Sequence, residues 1–210
     1  MKLYDYEKAP NPRRVRIFLA EKGITVPRVQ VDIVAGENLT PSFLAINPRG
    51  VLPVLELDDG TRIDESIAIC RYFEELQPDP PLFGTDPKSK AVIESWQRHI
   101  EFDGLAQIAD AFRNSAPLFA QRVLPGNVGR VDAIPELVER GKAGTLRFFK
   151  RLDDRLAQSE YVAGDSFSVA DITALVACDF ARWIKVAIPE DHQHLLRWYA
   201  QVKARPSARA

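Results

Sequence analysis

Four prolines fall within the eleven residues QPDPPLFGTDP, positions 77–87. Neither a helix nor a central strand runs through such a stretch, because each proline lacks an N–H and biases the preceding residue away from helical backbone. The chain must therefore organise itself separately on either side. Before the prolines, short apolar alternations trade places with helical spacing; after them, only helical spacing remains. That change predicts an α/β domain over residues 1–78, a linker over 79–87 and an all-helical domain over 88–210.

In the first part, KLYDY and RVQVDI (28–33) read as strands, the latter with Val29, Val31 and Ile33 alternating onto one face. Between them, RRVRIFLAEKGI places Val15, Phe18 and Leu19 at helical spacing and ends on Gly23, suited to a left-handed cap. A strand, a helix and a strand in that order predict a parallel pair with a right-handed crossover. TPSFLAI gives one or two helical turns with Thr40 as cap, and VLPVLELDDGTRI a hairpin about Asp59-Gly60. SIAICRYFEEL is helical again. Beyond the prolines, helices are expected over Lys88 to about Arg122, Ile134 to about Ala157, Val169 to about Lys185 and Pro189 to about Ala204. Ser168 and Asp171, three apart, form a capping box for the third of these.

The 28 basic and 29 acidic side chains balance, so no global attraction to nucleic acid or anionic lipid is expected and any ligand must be recognised locally. Cys70 and Cys178 stand far apart without metal-ligand spacing, and His192 and His194 point away from each other on a helix; no metal site is expected. With no signal-peptide pattern and no run of 18 apolar residues, a soluble, cytoplasmic, disulfide-free protein is the expectation.

Two places carry chemistry. Pro53 marks the start of a strand, since it removes a ladder donor. A cis Leu52-Pro53 bond would turn the Leu52 peptide groups outward to pair with an extended ligand; the alternative is an ordinary trans proline. Glu65-Ser66 stands where a strand turns into a helix. The helix start offers N–H groups and the Ser66 hydroxyl to a carboxylate, while Glu65 can pair with an ammonium; the alternative is simple capping by Asp64 or Ser66.

Together, NPRGVLPVLELDDGTRIDESIAI, APNPRRVRIFLAEKGI and FSVADITAL resemble the cytosolic glutathione transferase superfamily over essentially the whole chain. The resemblance implies a thioredoxin-like N-terminal domain (βαβαββα), an all-α C-terminal domain and a cis Pro53. It also implies that Leu52 pairs with the cysteinyl part of glutathione and that Glu65 and Ser66 hold its γ-glutamyl head group. Asn38 matches a position that contacts the glycine carboxylate in theta-like members. Asp103 lies on the helix that forms the two-fold interface in the family, from which an acidic residue reaches the partner's glutathione. Trp96 and His99 share its helix face.

The family's thiol-activating Ser, Tyr or Cys is missing: Ala9 occupies the serine position, and no Ser, Thr or Cys occurs from Met1 to Ile24. The remaining donors are Asn11, which resembles the Asn of the TPN element in disulfide-reductase-type members, and Tyr6; backbone groups at a helix start near Arg13 are a third source. Of Arg13 and Arg14, one is expected toward the site and the other toward solvent. Phe112, Arg113, Leu118 and Phe119 are candidates for the electrophile pocket. The expectation is a homodimeric enzyme that delivers the glutathione thiolate to a small hydrophobic electrophile, a disulfide or a peroxide. The alternative is a non-catalytic binding or regulatory protein. A glutathione-independent thioredoxin-type redox protein is disfavoured, because the loop after the first strand holds no cysteine.

Overall fold

The computed structural model describes residues 1–210. Strand β1 (Lys2–Asp5), helix α1 (Pro10–Lys22), strand β2 (Arg28–Gln30), helix α2 (Pro41–Leu44), strands β3 (Val54–Glu56) and β4 (Arg62–Ile63) and helix α3 (Ser66–Leu76) follow in the expected order. The sheet runs β2-β1-β3-β4, with β1 and β2 parallel and the other pairings antiparallel. Gly23 closes α1 in a left-handed conformation at φ 66°, and Thr40 Oγ1 caps α2. Strand β2 is shorter than its alternation implies. It forms a sheet edge, and Val29 stays on the surface while Val31, just beyond the strand, is buried.

Beyond the prolines, α4 (Pro87–His99) passes through a π-wound turn, Ile100–Leu105, into α5 (Ala106–Ser115). This long helix stops short of Arg122 because Pro117 holds the preceding residue in extended backbone, with Ala116 at ψ 121°. Helices α6 (Pro135–Leu156), α7 (Val169–Ala181) and α8 (Gln193–Lys203) follow. The last begins later than its pattern suggests, since Pro189–His192 closes as a turn with His192 N–H on Pro189 O.

The capping box at Ser168 is also a core junction. Asp171, fully buried, accepts from Ser168 N–H and Oγ, from Val162 N–H at 2.9 Å and from Trp198 Nε1 at 2.8 Å. One carboxylate thus ties the start of α7 to the loop before it and to α8. Burial pushes this carboxyl up to about 6, against the pull of its four donors.

The proline segment, expected as a linker, is pinned rather than loose. Lys22, at the end of α1, donates through Nζ to the carbonyls of Gln77, Pro78 and Pro80 and pairs with Glu74 at 2.6 Å. Glu74 accepts in turn from the amides of Leu82 and Phe83, whose side chains are buried. An ammonium with no exposed side-chain surface is tolerated because all of its donors are used. A single apolar cluster consequently runs through both halves, from Leu3, Phe18 and Phe73 to Leu152, Leu175 and Trp198.

Helix α1 is the hub of this joint. Arg13 pairs with Asp179 of α7, Arg14 with Glu101 of the π turn, and Glu21 with Arg205 near the C-terminus. Both Arg13 and Arg14 therefore engage the helical domain, and neither is left to solvent as one of them was expected to be. A second joint is the segment after α5, which crosses back over the first domain: Asn127 N–H donates to Arg49 O at 2.8 Å and Arg122 Nη2 to Ile33 O. Gly126 permits this approach, for at its φ of 82° a Cβ would stand 2.1 Å from Arg49 O.

Gly126→Ala is expected to destabilise the protein by about 2 kcal/mol in urea unfolding, through overpacking and a disfavoured backbone, with faster amide exchange at Asn127. Asp171→Ala removes the acceptor for four buried donors, and its expected cost is on the order of 4 kcal/mol. Burial alone would raise the carboxyls of Glu21 and Asp179. The hydrogen bonds from Arg205 and Ser207 to the first, and from Lys203, Tyr199 and Arg13 to the second, outweigh it and hold both below the usual range. Their contribution is therefore complete above the unfolded-state values near pH 4 and is lost as pH falls through the lower folded-state values. Melting temperature should fall more steeply with acid in wild type than in Asp179→Asn.

Candidate functional site

The site lies at one end of the sheet. Strand β1 pairs with β3 so that Tyr4 faces Val54, and beyond the paired residues Tyr6 and Leu52 pack into one group. Both belong to a small apolar cluster with Tyr4, Val31, Phe43 and Val54. The Leu52-Pro53 peptide is cis. Neither the N–H nor the C=O of Leu52 forms a hydrogen bond within the chain, although the residue is only 7% exposed. Unpaired peptide groups at such a depth call for an extended partner.

Helix α3 begins beside this edge and has no side-chain cap, so the alternative of simple capping by Asp64 or Ser66 does not hold. The N–H groups of Ser66, Ile67 and Ala68 have no partner in the chain, and neither has Ser66 Oγ. They form the positive end of an eleven-residue helix, where an anion is favoured. Glu65 stands next to them, largely exposed. Arg49 Nη1 binds both its carboxylate at 2.8 Å and that of Asp64 at 3.1 Å. The guanidinium thus ties the loop before Leu52 to the start of α3, and its bond to Glu65 raises its own pKa.

The third corner is the loop after β1. Asp5, fully buried, pairs with Arg16 Nη1 at 2.7 Å, and Arg16 Nη2 holds Glu7 O, so the loop is fixed from below. Tyr6 is half-buried. Burial first, then the charge of Asp32, raise its phenol pKa, which keeps it a donor. Helix α1 begins at Pro10 rather than near Arg13, with Ala9 as an uncapped N-cap residue. Since Pro10 and Pro12 carry no N–H, Asn11 supplies the only amide among the first three helical residues. The expected backbone donors thus shrink to one. The Asn11 side chain is exposed and its Oδ1 accepts from Arg14 Nη2 at 2.9 Å, which leaves Nδ2 without a partner in the chain.

Two of the candidate residues have partners within the chain. Asn38 is buried beneath the Leu52 loop and donates Nδ2 to Gly50 O at 2.7 Å, while its Oδ1 is enclosed without a partner. Asn38 thus holds that loop with one of its two amide hydrogens. Asp103 is not brought to the site within the chain. It pairs with Arg151 in a groove shared with Gln107, Gly144, Arg147 and Phe148.

On the helical side, Phe112 stacks edge-on with Phe119, Phe180 and Trp183, forming an aromatic cluster. Arg113 lies against Phe119 and donates to the carbonyls of Arg122, Val123 and Leu124. It builds the crossing segment rather than a pocket. Burial, reinforced by Arg122, lowers its pKa to about 10. Leu118 does line a cleft, of about 560 Å³, with Leu39, Gln121, Arg122, Asn127 and Arg130. Sequence reasoning missed Arg49, Gly126 and Asn127; the turn-forming PGN of residues 125–127 was the available signal.

Residues 9–76 match the family described as "Glutathione S-transferase, N-terminal domain", and residues 117–206 match "Glutathione S-transferase, C-terminal domain". The chain is 37% identical to glutathione S-transferase 2 of Saccharomyces cerevisiae, across 100% of this chain and 88% of that one. Among solved structures, a glutathione S-transferase domain-containing protein of Marinobacter aquaeolei superposes with a TM-score of 0.91 at 40% identity, covering 99% of both chains. A glutathione S-transferase of class Gtt2 from Vibrio parahaemolyticus gives 0.84 at 40% identity, covering 99% of this chain and 95% of the other. The chain belongs to the glutathione S-transferase family and is a glutathione transferase enzyme.

Proposed function

We propose that the site binds glutathione as an extra strand along Leu52, with the γ-glutamyl carboxylate on the α3 amides and Ser66 and its ammonium on Glu65. The observation that carries this is the pair of unpaired Leu52 peptide groups beside the uncapped start of α3. An α-amino acid head group satisfies both poles there, and the peptide bonds that follow it satisfy Leu52. The cysteinyl sulfur then lies toward the β1–α1 corner.

At that corner the protein stabilises the thiolate and holds it in place; it supplies no nucleophile of its own. Asn11 Nδ2 is the favoured donor, with Tyr6 as the second candidate. In conjugation, the sulfur lone pair forms a bond to an electrophilic carbon and a leaving group departs with its electrons, or a π bond accepts them. In disulfide reduction, the thiolate attacks one sulfur, a mixed disulfide forms and the other sulfur leaves as thiolate, protonated by solvent; a second glutathione completes the two-electron reduction. With a peroxide, the thiolate attacks one oxygen, the O–O bond breaks and the other oxygen leaves as alkoxide or hydroxide, protonated by solvent; a second glutathione then displaces water from the sulfenic acid to give the disulfide. The cleft along Leu118 and the aromatic group of Phe112 and Trp183 fit a small hydrophobic second substrate. A homodimer belongs to the same proposal, with Asp103 reaching the partner's glutathione across the two-fold axis.

Calorimetry with glutathione and turnover with an aryl electrophile and a small disulfide test this. Ser66→Ala should weaken glutathione binding about tenfold with little change in kcat. Asn11→Ala should lower kcat/KM about tenfold or more at neutral pH, and Tyr6→Phe less than threefold. Binding without turnover on either substrate would remove the proposed reactions; loss of rate in Tyr6→Phe alone would move the donor from Asn11 to Tyr6.

A further inference from the structure

We infer that Glu101 of the helical domain is a positioning residue for the thiol, acting through Arg14 to fix which end of the Asn11 amide faces the sulfur. It rests on the assignment of Asn11 as the sulfur's donor. A primary amide presents an acceptor at one end and a donor at the other, and rotation by half a turn about χ2 exchanges them. Only the NH₂ end stabilises a thiolate; the oxygen end repels it.

What removes the ambiguity is Arg14. A guanidinium has donors only, so the atom it meets at 2.9 Å must be Asn11 Oδ1, and Nδ2 is turned outward. Arg14 is itself buried, 4% exposed, with Nε unbonded, and its Nη1 bonds Glu101 Oε1 at 2.7 Å. Without that carboxylate the guanidinium would be a buried charge lacking an ionic partner, and it would leave its place. The other oxygen of Glu101 is held by Arg98 Nη1 at 2.7 Å, Arg98 by Glu94, and Glu94 by Arg71 of α3. Glu101 is aimed by the π-wound turn, a local rewinding of the α4–α5 helix. One line of alternating charge thus runs from α3, through the helical domain, to the thiol corner.

The thiol pKa of bound glutathione is the readout, taken from thiolate absorbance of the binary complex and from the pH profile of kcat/KM. Glu101→Gln and Arg14→Lys, whose single ammonium cannot span both partners, should each raise it by about one pH unit, as Asn11→Ala does, with kcat/KM at neutral pH falling about tenfold. In the Asn11→Ala background, Glu101→Gln should add nothing. Simple electrostatics gives the opposite sign, since an uncompensated Arg14 cation would lower the thiol pKa; a lowered or unchanged value in folded Glu101→Gln and Arg14→Lys, with Asn11→Ala raised, overturns the inference alone. An unchanged value in Asn11→Ala overturns the assignment of Asn11, and the inference with it.

Discussion

Helix α1 carries five charged side chains that reach residues outside it, and all five are committed to partners. Arg13, Arg14 and Glu21 engage the helical domain, Lys22 grips the proline segment, and Arg16 holds the loop below Tyr6. Buried charge of this kind adds little net stability over an apolar core, since desolvation offsets most of the attraction. What it specifies is geometry: a rotation or shift of α1 would strand several buried charges at once. Because the helix starts at Ala9 and Pro10, that constraint fixes where Asn11 stands relative to Leu52.

The two halves of the site are held by different means. The start of α3 depends on Arg49, an exposed cation joining the Leu52 loop to Glu65, and on the crossing segment packed against its carbonyl. The β1–α1 corner depends on buried ion pairs. Solvent and salt weaken the first far more than the second. The junction at α3 is accordingly the adaptable part, and the β1–α1 corner the rigid one.

Much of this was legible in the chain. Alternation and Gly punctuation gave β1, the hairpin at Asp59-Gly60 and the Gly23 cap, because those features are local. Pro53 at a strand entry and Ser66 at a helix start were readable for the same reason. The rest was decided by partners distant in sequence. Arg13 and Arg14 are adjacent and looked divergent, yet Asp179 and Glu101 capture both. Asn38 looked like a ligand donor, but Gly50 O lies within its reach only after folding. The proline segment read as a linker from its backbone chemistry, while its Leu82 and Phe83 were core residues in plain sight.

The continuous core gives the molecule a mechanical character that its two-domain composition does not suggest. With Phe18 and Phe73 in the same apolar cluster as Leu175 and Trp198, no plane exists along which the domains can hinge without opening that cluster to water. The walls on either side of the cleft are therefore set before any second substrate arrives. The character of the cleft is therefore altered by replacing lining side chains such as Leu118 rather than by changing how the domains close. The ion pairs that fix helix α1 would stay untouched.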